Sequence, residues 1–448
     1  MTPEVISVVG LGYIGLPTAA AFAARRKKVI GIDVSQHAVD TINQGRIHII
    51  EPELDMLVHA AVSQGFLRAT RTPEPADAFL IAVPTPIGPD KKPDLSFVEA
   101  AVRAIAPVLQ KGNLVVLEST SPVGTTERIA HWLGQARPDL SFPHLAGEDA
   151  DVKIAYCPER VLPGHVVREL VENDRVIGGM SRRCGEAARE LYRIFVQGDC
   201  ILTNARTAEM CKLTENSYRD VNIAFANELS LICEELDINV WELIRLSNRH
   251  PRVDILRPGP GVGGHCIAVD PWFIVDSAPT HARLIRVARE VNDAKPHHVV
   301  ESVVRAAERF RAPVITCLGL AFKADIDDLR ESPALEIVEA LVQRKAGTVI
   351  VVEPNVKELP RALAGAVELV GLHDAISRAD IVVILVDHRS FKALDPARLY
   401  ARIVIDTRGM LAQPQSIPPF PPVAADTAGL EKTQADADTT PRTLALSA

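Results

Sequence analysis

The sequence has no apolar run close to the roughly 18 residues that a membrane-spanning helix needs. Its densest runs, such as residues 381–386, have the length of a β-strand. It has no excess of positive charge either, because 49 Lys and Arg stand against 57 Asp and Glu, which gives a net charge of −8. That balance argues against a protein that binds nucleic acid or an anionic membrane surface, although it allows a local basic pocket.

Two features typical of secreted proteins are also missing. An apolar strand pattern begins at Val5, with no basic segment or cleavage site before it. The seven cysteines are an odd number scattered through 448 residues, which does not resemble a disulfide framework. Apolar residues make up 47% of the chain and charged residues 24%, a composition that supports a large core. We therefore expect a cytoplasmic enzyme of about three domains with reduced thiols.

Strand and helix patterns alternate from Val5 to about residue 204, and the alternation resumes at Pro313. Such alternation predicts βαβ units and mostly parallel sheets covered on both faces. The expected fold class is α/β, with two Rossmann-like, doubly wound domains. The predicted strands are 5–9, 29–32, 79–83, 114–117, 153–156, 175–177, 314–318, 348–352, 381–386 and 402–405.

Between these two regions, residues 207–236 contain no Pro or Gly and have helical apolar spacing. This pattern predicts one long helix, suited to joining domains or subunits. Residues beyond Met410 are rich in Pro, Ala, Asp and Thr and predict a disordered tail. We therefore expect a dinucleotide-binding domain over 1–204, a central helical segment over 205–311, a second Rossmann-like domain over 312–410 and a tail over 411–448.

A glycine-rich turn, Gly10-Leu-Gly12-Tyr-Ile-Gly15, directly follows the first strand and opens a helix pattern. In such a turn the first glycine permits the bend, the second lets the backbone approach a pyrophosphate and the third lets helix and strand pack closely. Asp33 ends the next strand 18 residues after Gly15, where a carboxylate accepts hydrogen bonds from ribose hydroxyls and repels a 2′-phosphate. A turn without a ligand does not explain these features together, so we predict that this segment binds NAD.

Cys266 follows an unusual run of small residues, Gly261, Gly263 and Gly264, and the side chain directly before it is His265. Glycines before a nucleophile let a substrate approach closely and leave backbone N–H groups free for an oxyanion. A tight turn with an incidental thiol fits the same residues equally well. The other six cysteines are interpreted as small apolar side chains.

On the predicted long helix, Lys212 and Asn216 are four residues apart, and Arg219 and Asp220 follow one turn later, on the same face. A solvated polar stripe is the simpler interpretation, and the spacing alone favours it. The functional interpretation is a lysine that moves protons beside an amide that holds an oxyanion.

Two further segments follow predicted strands. Thr120 lies in a hydroxyl-rich segment after residues 114–117, and Glu159 and Arg160 follow residues 153–156. Open α/β sheets bind ligands at such strand ends. A helix N-cap cluster and a surface ion pair, respectively, are the alternatives.

Together these motifs resemble the UDP-glucose/UDP-mannuronate dehydrogenase family, the bacterial nucleotide-sugar 6-dehydrogenases. The resemblance runs from about Val5 to Arg408 and leaves out the tail. It is carried, in this order, by VVGLGYIGLPTAAAFA, HIIEPEL, ESTSPVGTTE, IAYCPERVLPG, RTAEMCKLTENSYRDVNIAFANELS, NRHPRV, PGPGVGGHCIAVDPWFIV and GLAFKADIDDLRESP. The resemblance implies a two-step oxidation, in which a sugar C6 alcohol is converted into a carboxylate and two NAD are reduced.

The resemblance implies a task for each candidate residue. Lys212, directly or through water, takes the hydroxyl proton in the first oxidation. Cys266 adds to the aldehyde, and the thiohemiacetal is oxidised to a thioester. Glu159 activates the water that hydrolyses this thioester, and a nearby Lys212 cation should lower the pKa of the Cys266 thiol. The groups that hold the water and Lys212 are Thr120, Asn216 and Asp270.

The resemblance also implies binding residues and a homodimer through the long helix, because Arg252 matches an arginine that reaches the neighbouring subunit's substrate. It implies no metal site. Besides the three glycines, the residues for NAD are Tyr13, Ile14, Asp33, Thr85, Thr126 and Arg330. The residues for the UDP-sugar are Arg160, Val161, Lys212, Asn216, Arg219, His250, Arg252, Gly263, Phe322, Lys323 and Arg408.

Some residues depart from the family pattern or narrow the substrate. Arg408 stands where we expect lysine, which keeps the charge but changes the hydrogen-bond geometry. Val269, where UDP-glucose dehydrogenases tend to carry lysine, and His265 favour an N-acetylated hexosamine. We expect UDP-N-acetyl-D-mannosamine, with UDP-N-acetylglucosamine or UDP-glucose as alternatives. Two other classes stay open: a two-electron hydroxyacid dehydrogenase, which needs no cysteine, and an NAD-binding regulator without turnover.

Overall fold

The computed structural model describes residues 3–49, 51–161, 164–264 and 266–411. His265 lies outside the described residues, and so does the predicted tail from residue 412 onwards. Within the described part of the chain, no helix is both long enough and apolar enough to cross a membrane. The predicted fold class is confirmed: two α/β sheet layers are joined by a long helix.

The inner strands of the first sheet are buried on both faces. Ile6 and Val8 of the first strand pack into one apolar cluster, and Val9 packs into the other. Such two-sided burial explains the continuous apolar runs by which most of these strands could be predicted. The strands are β1 (Val5–Val9), β2 (Lys28–Ile32), β3 (Leu67–Thr70), β4 (Ala78–Ile81), β5 (Leu114–Leu117), β6 (Lys153–Tyr156), β7 (Arg175–Gly179) and β8 (Cys200–Asn204).

This sheet has the strand order β3-β2-β1-β4-β5-β6-β7-β8. From β3 to β6 all neighbours are parallel, in the order of a dinucleotide-binding sheet. The pair β6–β7 is antiparallel and β7–β8 is parallel again, so the sheet is mostly parallel, as expected, with one antiparallel pair. An apolar run encodes a strand but not its direction, which depends on where the preceding connection packs.

Helices cover both faces of the first sheet. Their apolar residues complete the two clusters, as Leu16 and Phe22 do on one face and Val98 and Ile129 on the other. The helices are α1 (Gly15–Ala24), α2 (Gln36–Asn43), α3 (Leu54–Ser63), α4 (Ser96–Ile105), α5 (Thr125–Ala136), α6 (Pro143–Ala146), α7 (Val166–Glu172) and α8 (Arg182–Tyr192).

The predicted long helix is present as α9 (Ala205–Glu235), 31 residues long. It begins where the Asn204 side chain accepts a hydrogen bond from the Thr207 N–H at 2.9 Å, an N-cap. It packs along a second long helix, which contains Pro296. The helices after α9 are α10 (Val240–Ser247), α11 (Asp270–Ser277) and α12 (Arg283–Ala307).

A buried row of polar side chains, which we call the polar seam, joins α9 to α12: Asp220, Asn227, Arg289 and Asn292. The Arg289 Nη1 donates to Asp220 Oδ1 at 2.6 Å, and the Asn292 Nδ2 donates to the same oxygen at 2.8 Å. Asn227 donates to Asn292 Oδ1 and accepts from the Gly259 N–H, both at 2.8 Å. The seam therefore fixes α9 against α12 and also holds the glycine-rich loop that leads to Cys266.

The second sheet is wholly parallel, in the order β11-β10-β9-β12-β13 once its strands are numbered along the chain. The strands are β9 (Val314–Leu318), β10 (Thr348–Val352), β11 (Glu368–Leu369), β12 (Ile381–Ile384) and β13 (Ile403–Asp406). The helices beside it are α13 (Pro333–Gln343) and α14 (Leu372–Arg378).

Candidate active site

The carboxyl ends of β1, β4, β5 and β6 lie along one edge of the first sheet. The chain leaves β1 towards β2 on one side and leaves β4 towards β5 on the other, so β1 and β4 flank the switch point of the sheet. Ligands of open α/β sheets bind at such a point. The predicted glycine turn, Thr85, Thr120 and Glu159 all follow these strand ends.

The three glycines of the first turn have different physical reasons. Gly10 has φ +91°, and a Cβ there would lie 2.5 Å from the Ala82 carbonyl oxygen. A Cβ on Gly15 would lie 1.7 Å from the Gly10 oxygen. A Cβ on Gly12, by contrast, would meet no atom within 4 Å. Packing does not explain Gly12, whereas a pyrophosphate lying on the open turn does, so these residues fit NAD.

Asp33 is held rigidly at the end of β2. Its Oδ2 accepts the Leu11 N–H at 2.9 Å, and its Oδ1 accepts the Ser35 N–H at 2.8 Å. The side chain is half-buried. Each carboxylate oxygen has a second lone pair, so Asp33 can accept hydrogen bonds from ribose hydroxyls while the backbone fixes its direction.

Other residues predicted to contact NAD surround the same turn. The Arg330 guanidinium carbon lies 5.0 Å from the centroid of the Tyr13 ring, so a loop from the second sheet covers the turn. Ile14 immediately precedes α1. The buried Thr85 hydroxyl donates to the Thr120 carbonyl oxygen at 2.6 Å, which joins the segments after β4 and β5.

Thr126 differs from the other residues predicted for NAD because it is fully buried. Its hydroxyl donates to Glu209 Oε1 at 2.6 Å, and Glu209 Oε2 accepts the Gly124 N–H at 2.6 Å. Burial raises the pKa of Glu209, although these hydrogen bonds oppose the shift. Glu209 thus caps the N-terminus of α5 and joins it to α9. Glu209 has no distinguishing spacing within the helix, so this role could not be predicted from the sequence.

Asn216 on α9 faces α11, where its Nδ2 donates to Asp270 Oδ2. Both side chains are buried, and so is Asp220. The interpretation of this face as a solvated polar stripe is therefore wrong for Asn216 and Asp220, whereas Arg219 is exposed. Burial raises the pKa of Asp270 to about 6, although the Lys212 charge and the Asn216 hydrogen bond both oppose the shift.

Cys266 lies in the turn that begins α11, where its carbonyl oxygen accepts the Asp270 N–H at 2.8 Å. All seven cysteines are within the described residues and have free thiols, and Cys266 is the exposed one. Although solvent reaches it, protein atoms crowd the thiol; burial raises its pKa and Asp270 adds to the rise. Lys212, Arg330 and Arg219 lower it by less. The expected lowering by Lys212 is present but does not decide the direction.

Glu159 follows β6 and forms a buried ion pair with Arg175 of β7, with 2.6 Å between Oε2 and Nη1. Its Oε1 accepts the Arg160 N–H at 2.7 Å. The Arg160 guanidinium instead pairs with Glu215 on α9 at 2.7 Å. A surface ion pair between Glu159 and Arg160 is therefore the wrong interpretation. A role for Arg175 could not be predicted from the sequence, because only the fold brings β7 beside β6.

Arg160 and Glu215 line a cavity of about 460 Å³ next to α9. Five residues predicted to bind the UDP-sugar contribute to it, and three of these are basic, while three acidic residues also line the cavity. The lining residues are Arg160, Val161, Glu169, Asn173, Asp174, Lys212, Glu215, Asn216 and Arg219.

The remaining residues predicted for the UDP-sugar lie outside this cavity. Gly263 packs against Phe322, since a Cβ on Gly263 would lie 3.0 Å from the Phe322 Cβ. The Arg408 Nη2 donates to Asp387 Oδ1 at 3.1 Å. Three exposed residues complete the set: Lys323 after β9, and His250 and Arg252 after α10. In the described chain, no group of three or more His, Cys, Asp and Glu side chains is arranged to hold a metal.

Three models of known domains match the chain. They are the NAD binding, central and UDP binding domains of the UDP-glucose/GDP-mannose dehydrogenase family, at residues 4–196, 206–294 and 316–413. The chain belongs to this family. It is an NAD-dependent dehydrogenase, and NAD is its cofactor.

The chain is similar to characterised family members along almost all of their length. It is 71% identical to the NDP-N-acetyl-D-galactosaminuronic acid dehydrogenase of Ralstonia nicotianae, over 90% of this chain and 96% of the relative. It is 62% identical to the UDP-N-acetyl-D-mannosamine dehydrogenase of Escherichia coli, over 92% and 100%. The solved UDP-D-ManNAc dehydrogenase of Pyrococcus horikoshii is 40% identical and superposes with a TM-score of 0.82, over 92% and 97%.

The position of Asp33 predicts the choice of cofactor. Replacing it with Ser should raise kcat/KM for NADP relative to NAD by about tenfold or more, because the carboxylate that repels a 2′-phosphate is lost. Initial rates with each cofactor measure this ratio. Asp40→Ser, which removes an exposed carboxylate from α2, is the matched control and should leave the ratio unchanged. An unchanged ratio in Asp33→Ser would contradict the ribose contact.

The pKa of Asp270 predicts an acid limb in the pH profile. As the pH falls through about 6, Asp270 becomes neutral and no longer stabilises the charge that Lys212 gains when it takes a proton, so kcat/KM should fall. Asp270→Asn should lose this acid limb. Its rate at pH 8 should be about 10- to 100-fold lower than that of the wild type. Rates of NADH formation from pH 5 to 9 test both effects. Asp276→Asn, at an exposed position of α11, should keep the normal profile; a persistent limb in Asp270→Asn contradicts the assignment.

Proposed function

We propose that this enzyme catalyses the four-electron oxidation of the C6 alcohol of UDP-N-acetyl-D-mannosamine to UDP-N-acetyl-D-mannosaminuronate. The observation that carries the proposal is the hydrogen bond from Asn216 to Asp270, which brings Lys212 of α9 close to the turn that contains Cys266. A proton acceptor and a nucleophile at one place are what the conversion of an alcohol to an acid requires. NAD, when bound, accepts the hydride of each oxidation.

In the first oxidation, C6 loses a hydride and its hydroxyl proton passes to Lys212, directly or through water. The Cys266 sulfur then forms a bond to C6, and the thiol proton goes to the former carbonyl oxygen. Lys212 passes the first proton to solvent and then takes the hydroxyl proton of this thiohemiacetal as C6 loses a second hydride, which leaves a thioester. Asn216 and Asp270 hold Lys212 in place through both oxidations.

Hydrolysis of the thioester requires water, and Glu159 is the proposed base. The Arg175 ion pair and the Arg160 N–H fix its carboxylate after β6, next to the end of β5 from which Thr120 projects. Water adds to the C6 carbonyl as Glu159 takes its proton, the C–S bond breaks, and the sulfur leaves as a thiolate that regains a proton.

The UDP-sugar is proposed to occupy the cavity beside α9. Arg160 and Arg219 supply guanidinium groups for an anionic pyrophosphate there, and Arg160 would have to exchange Glu215 for the substrate. The segment with Phe322 and Lys323 would complete the site from the second sheet. Arg408 is engaged by Asp387, so it would have to exchange this partner to contact the substrate.

The identity of the sugar rests on the relatives. The Escherichia coli relative and the Pyrococcus horikoshii structure are named for N-acetylmannosamine, which supports the proposed substrate. The more similar Ralstonia relative is named for N-acetylgalactosaminuronic acid, which supports NDP-N-acetyl-D-galactosamine as a second candidate. The two sugars differ at C2 and C4, positions that a few atoms of a pocket distinguish. UDP-N-acetylglucosamine and UDP-glucose complete the panel to be tested.

The decisive experiment counts NADH formed per sugar, with excess NAD and a limiting amount of each UDP-sugar. Two NADH per UDP-N-acetyl-D-mannosamine are expected; a yield of one would remove Cys266 from the mechanism. Cys266→Ser should stop after one NADH, or should accumulate an ester that is hydrolysed slowly, because an alkoxide leaves less readily than a thiolate. Cys200→Ser, at a half-buried position of β8, is the matched control and should still yield two.

We also propose that the enzyme works in the cytoplasm, where NAD and nucleotide sugars are made, and supplies an acidic sugar for surface polysaccharide. The division of the chain at 204/205 and 311/312 is likewise a proposal. The ranges of the three matching domain models support it.

A homodimer through α9 is supported by an apolar stripe on that helix. Tyr218, Phe225 and Ile232 are seven residues apart and therefore share a face, yet they are 70%, 52% and 45% exposed. Exposed apolar residues in such a row are typical of an interface. The same arrangement would let the exposed Arg252 reach the substrate of the partner subunit.

A single charged substitution in α9 tests the dimer. Phe225→Asp should convert the protein to monomers in size-exclusion chromatography with light scattering, because a carboxylate would be buried without a partner. The KM for the UDP-sugar should rise with it, since Arg252 would lose its site. Tyr400→Asp introduces the same charge at an 88% exposed aromatic residue in the turn before β13 and should stay dimeric. A fully active monomer would contradict the role of Arg252.

A further inference from the structure

A loop of the second sheet, residues 319–331, reaches the active site. The ring of Phe322 packs on Gly264, where a Cβ would lie 2.9 Å from the Phe322 Cε2. At the other end of the loop, Arg330 covers the Tyr13 ring. The loop therefore contacts both the glycines before Cys266 and the turn that binds NAD, and its shape affects both.

The base of this loop is held by a buried carboxylate, Glu353, directly after β10. Its Oε2 accepts the N–H groups of Leu320 and Ala321 at 2.8 and 3.1 Å. The same oxygen lies 3.1 Å from the Nε2 of His388, and the side chains of both residues are fully buried. Although burial opposes its ionisation, the hydrogen bonds from His388 and the backbone hold the pKa of Glu353 below its ordinary value.

The other nitrogen of His388 holds the tip of the loop. Its Nδ1 lies 2.9 Å from the Asp325 N–H and 3.1 Å from the Asn355 Nδ2. Because a backbone N–H can only donate, Nδ1 is an acceptor and the ring proton is on Nε2, which donates to Glu353. One imidazole thus connects the base of the loop to its tip.

The backbone of Asp325 has a strained conformation that this contact stabilises. Its φ is +62°, a region in which a non-glycine residue is strained and persists only when neighbours hold it. The residue after the histidine contributes too, since the Arg389 N–H donates to Asp325 Oδ1 at 2.9 Å. Two consecutive residues after β12 therefore fix the tip of a loop whose ends lie elsewhere.

We propose that His388 is a positioning residue for substrate and cofactor binding. Through its two ring nitrogens it keeps the loop 319–331 in the shape that presents Phe322 and Lys323 to the UDP-sugar and Arg330 to NAD. The proposal rests on the proposed function for the tasks of those three residues. The competing explanation is that His388 only fills the core, where its ring packs against Phe391 at 5.1 Å.

Two variants of the full-length protein separate these explanations, because each keeps one of the two hydrogen bonds. In His388→Asn the amide oxygen takes the place of Nδ1 and still accepts from Asp325. In His388→Gln the amide nitrogen takes the place of Nε2 and still donates to Glu353, but the tip is released. His388→Gln should raise the KM for the UDP-sugar about tenfold with a much smaller change in kcat. His388→Asn should have a KM close to that of the wild type.

Hydrogen exchange supplies a readout that needs no substrate. In His388→Gln the amides of residues 322–330 should exchange faster while those of β9 and β10 do not. Ile376→Ala, which creates a cavity in the same core, is the stability control: it should lower Tm without changing the KM. Unchanged exchange in His388→Gln overturns the proposal, and so does equal loss of function in both histidine variants.

Asp325→Ala tests the loop from its exposed side if the histidine variants do not fold. It removes the acceptor for the Arg389 N–H but keeps the backbone N–H that His388 accepts, so the KM and the exchange rates should stay near the wild-type values. A rise of about tenfold in KM with faster exchange would show that Arg389 rather than His388 holds the tip, and would overturn the proposal. Failure of the proposed function looks different, because the wild-type protein would then oxidise no UDP-sugar. The exchange measurements would still report whether His388 holds the loop.

Discussion

The buried polar seam between α9 and α12 is the constraint on which the active site depends. An Arg289 guanidinium removed from water is stable only where Asp220 meets it, so the two helices have one register. A shift by one turn, about 5.4 Å, would separate this pair and also pull Asn227 from the Gly259 N–H. The same register decides where Lys212 and Asn216 lie. The seam therefore aligns the proton acceptor with the loop that carries the thiol.

The two sheets use one structural device in two ways. In each, an acid at the end of the second strand accepts backbone N–H groups of the turn after the first strand: Asp33 in one sheet and Glu353 in the other. Asp33 is half-buried beside the open space over Gly12, which leaves room for a ligand. Glu353 is sealed by His388, which leaves none. Equivalent topology thus provides a cofactor site in the first sheet and an anchored loop in the second.

The strands that are buried on both faces could be predicted from the sequence. Residues 5–9, 114–117, 153–156, 314–318 and 348–352 are strands with the predicted ends, because strands buried on both faces are continuous apolar runs. The half-exposed β3 and β8 and the two-residue β11 have no such run and were missed. Edge strands are stabilised by their pairing with neighbouring strands more than by their own composition.

The active site divides in the same way. The glycine turn and Asp33 could be predicted, since a local spacing encodes a local geometry. The partners of other residues could not: Arg175 for Glu159, Glu209 for Thr126 and Arg289 for Asp220 meet only after folding. A single sequence shows which residues are charged but not which of them form pairs, because the partners are sixteen to eighty-three positions apart.

The raised pKa of the Cys266 thiol acquires a meaning within the proposed mechanism. Burial and Asp270 favour the neutral thiol, while a positive charge on Lys212 opposes them. The proton released in the first oxidation is proposed to arrive at Lys212. That step would therefore generate the charge that favours the thiolate, at the moment when an aldehyde is present to react with it. The same lysine would then accept the proton of the first oxidation and, once charged, favour the thiolate that the second oxidation requires.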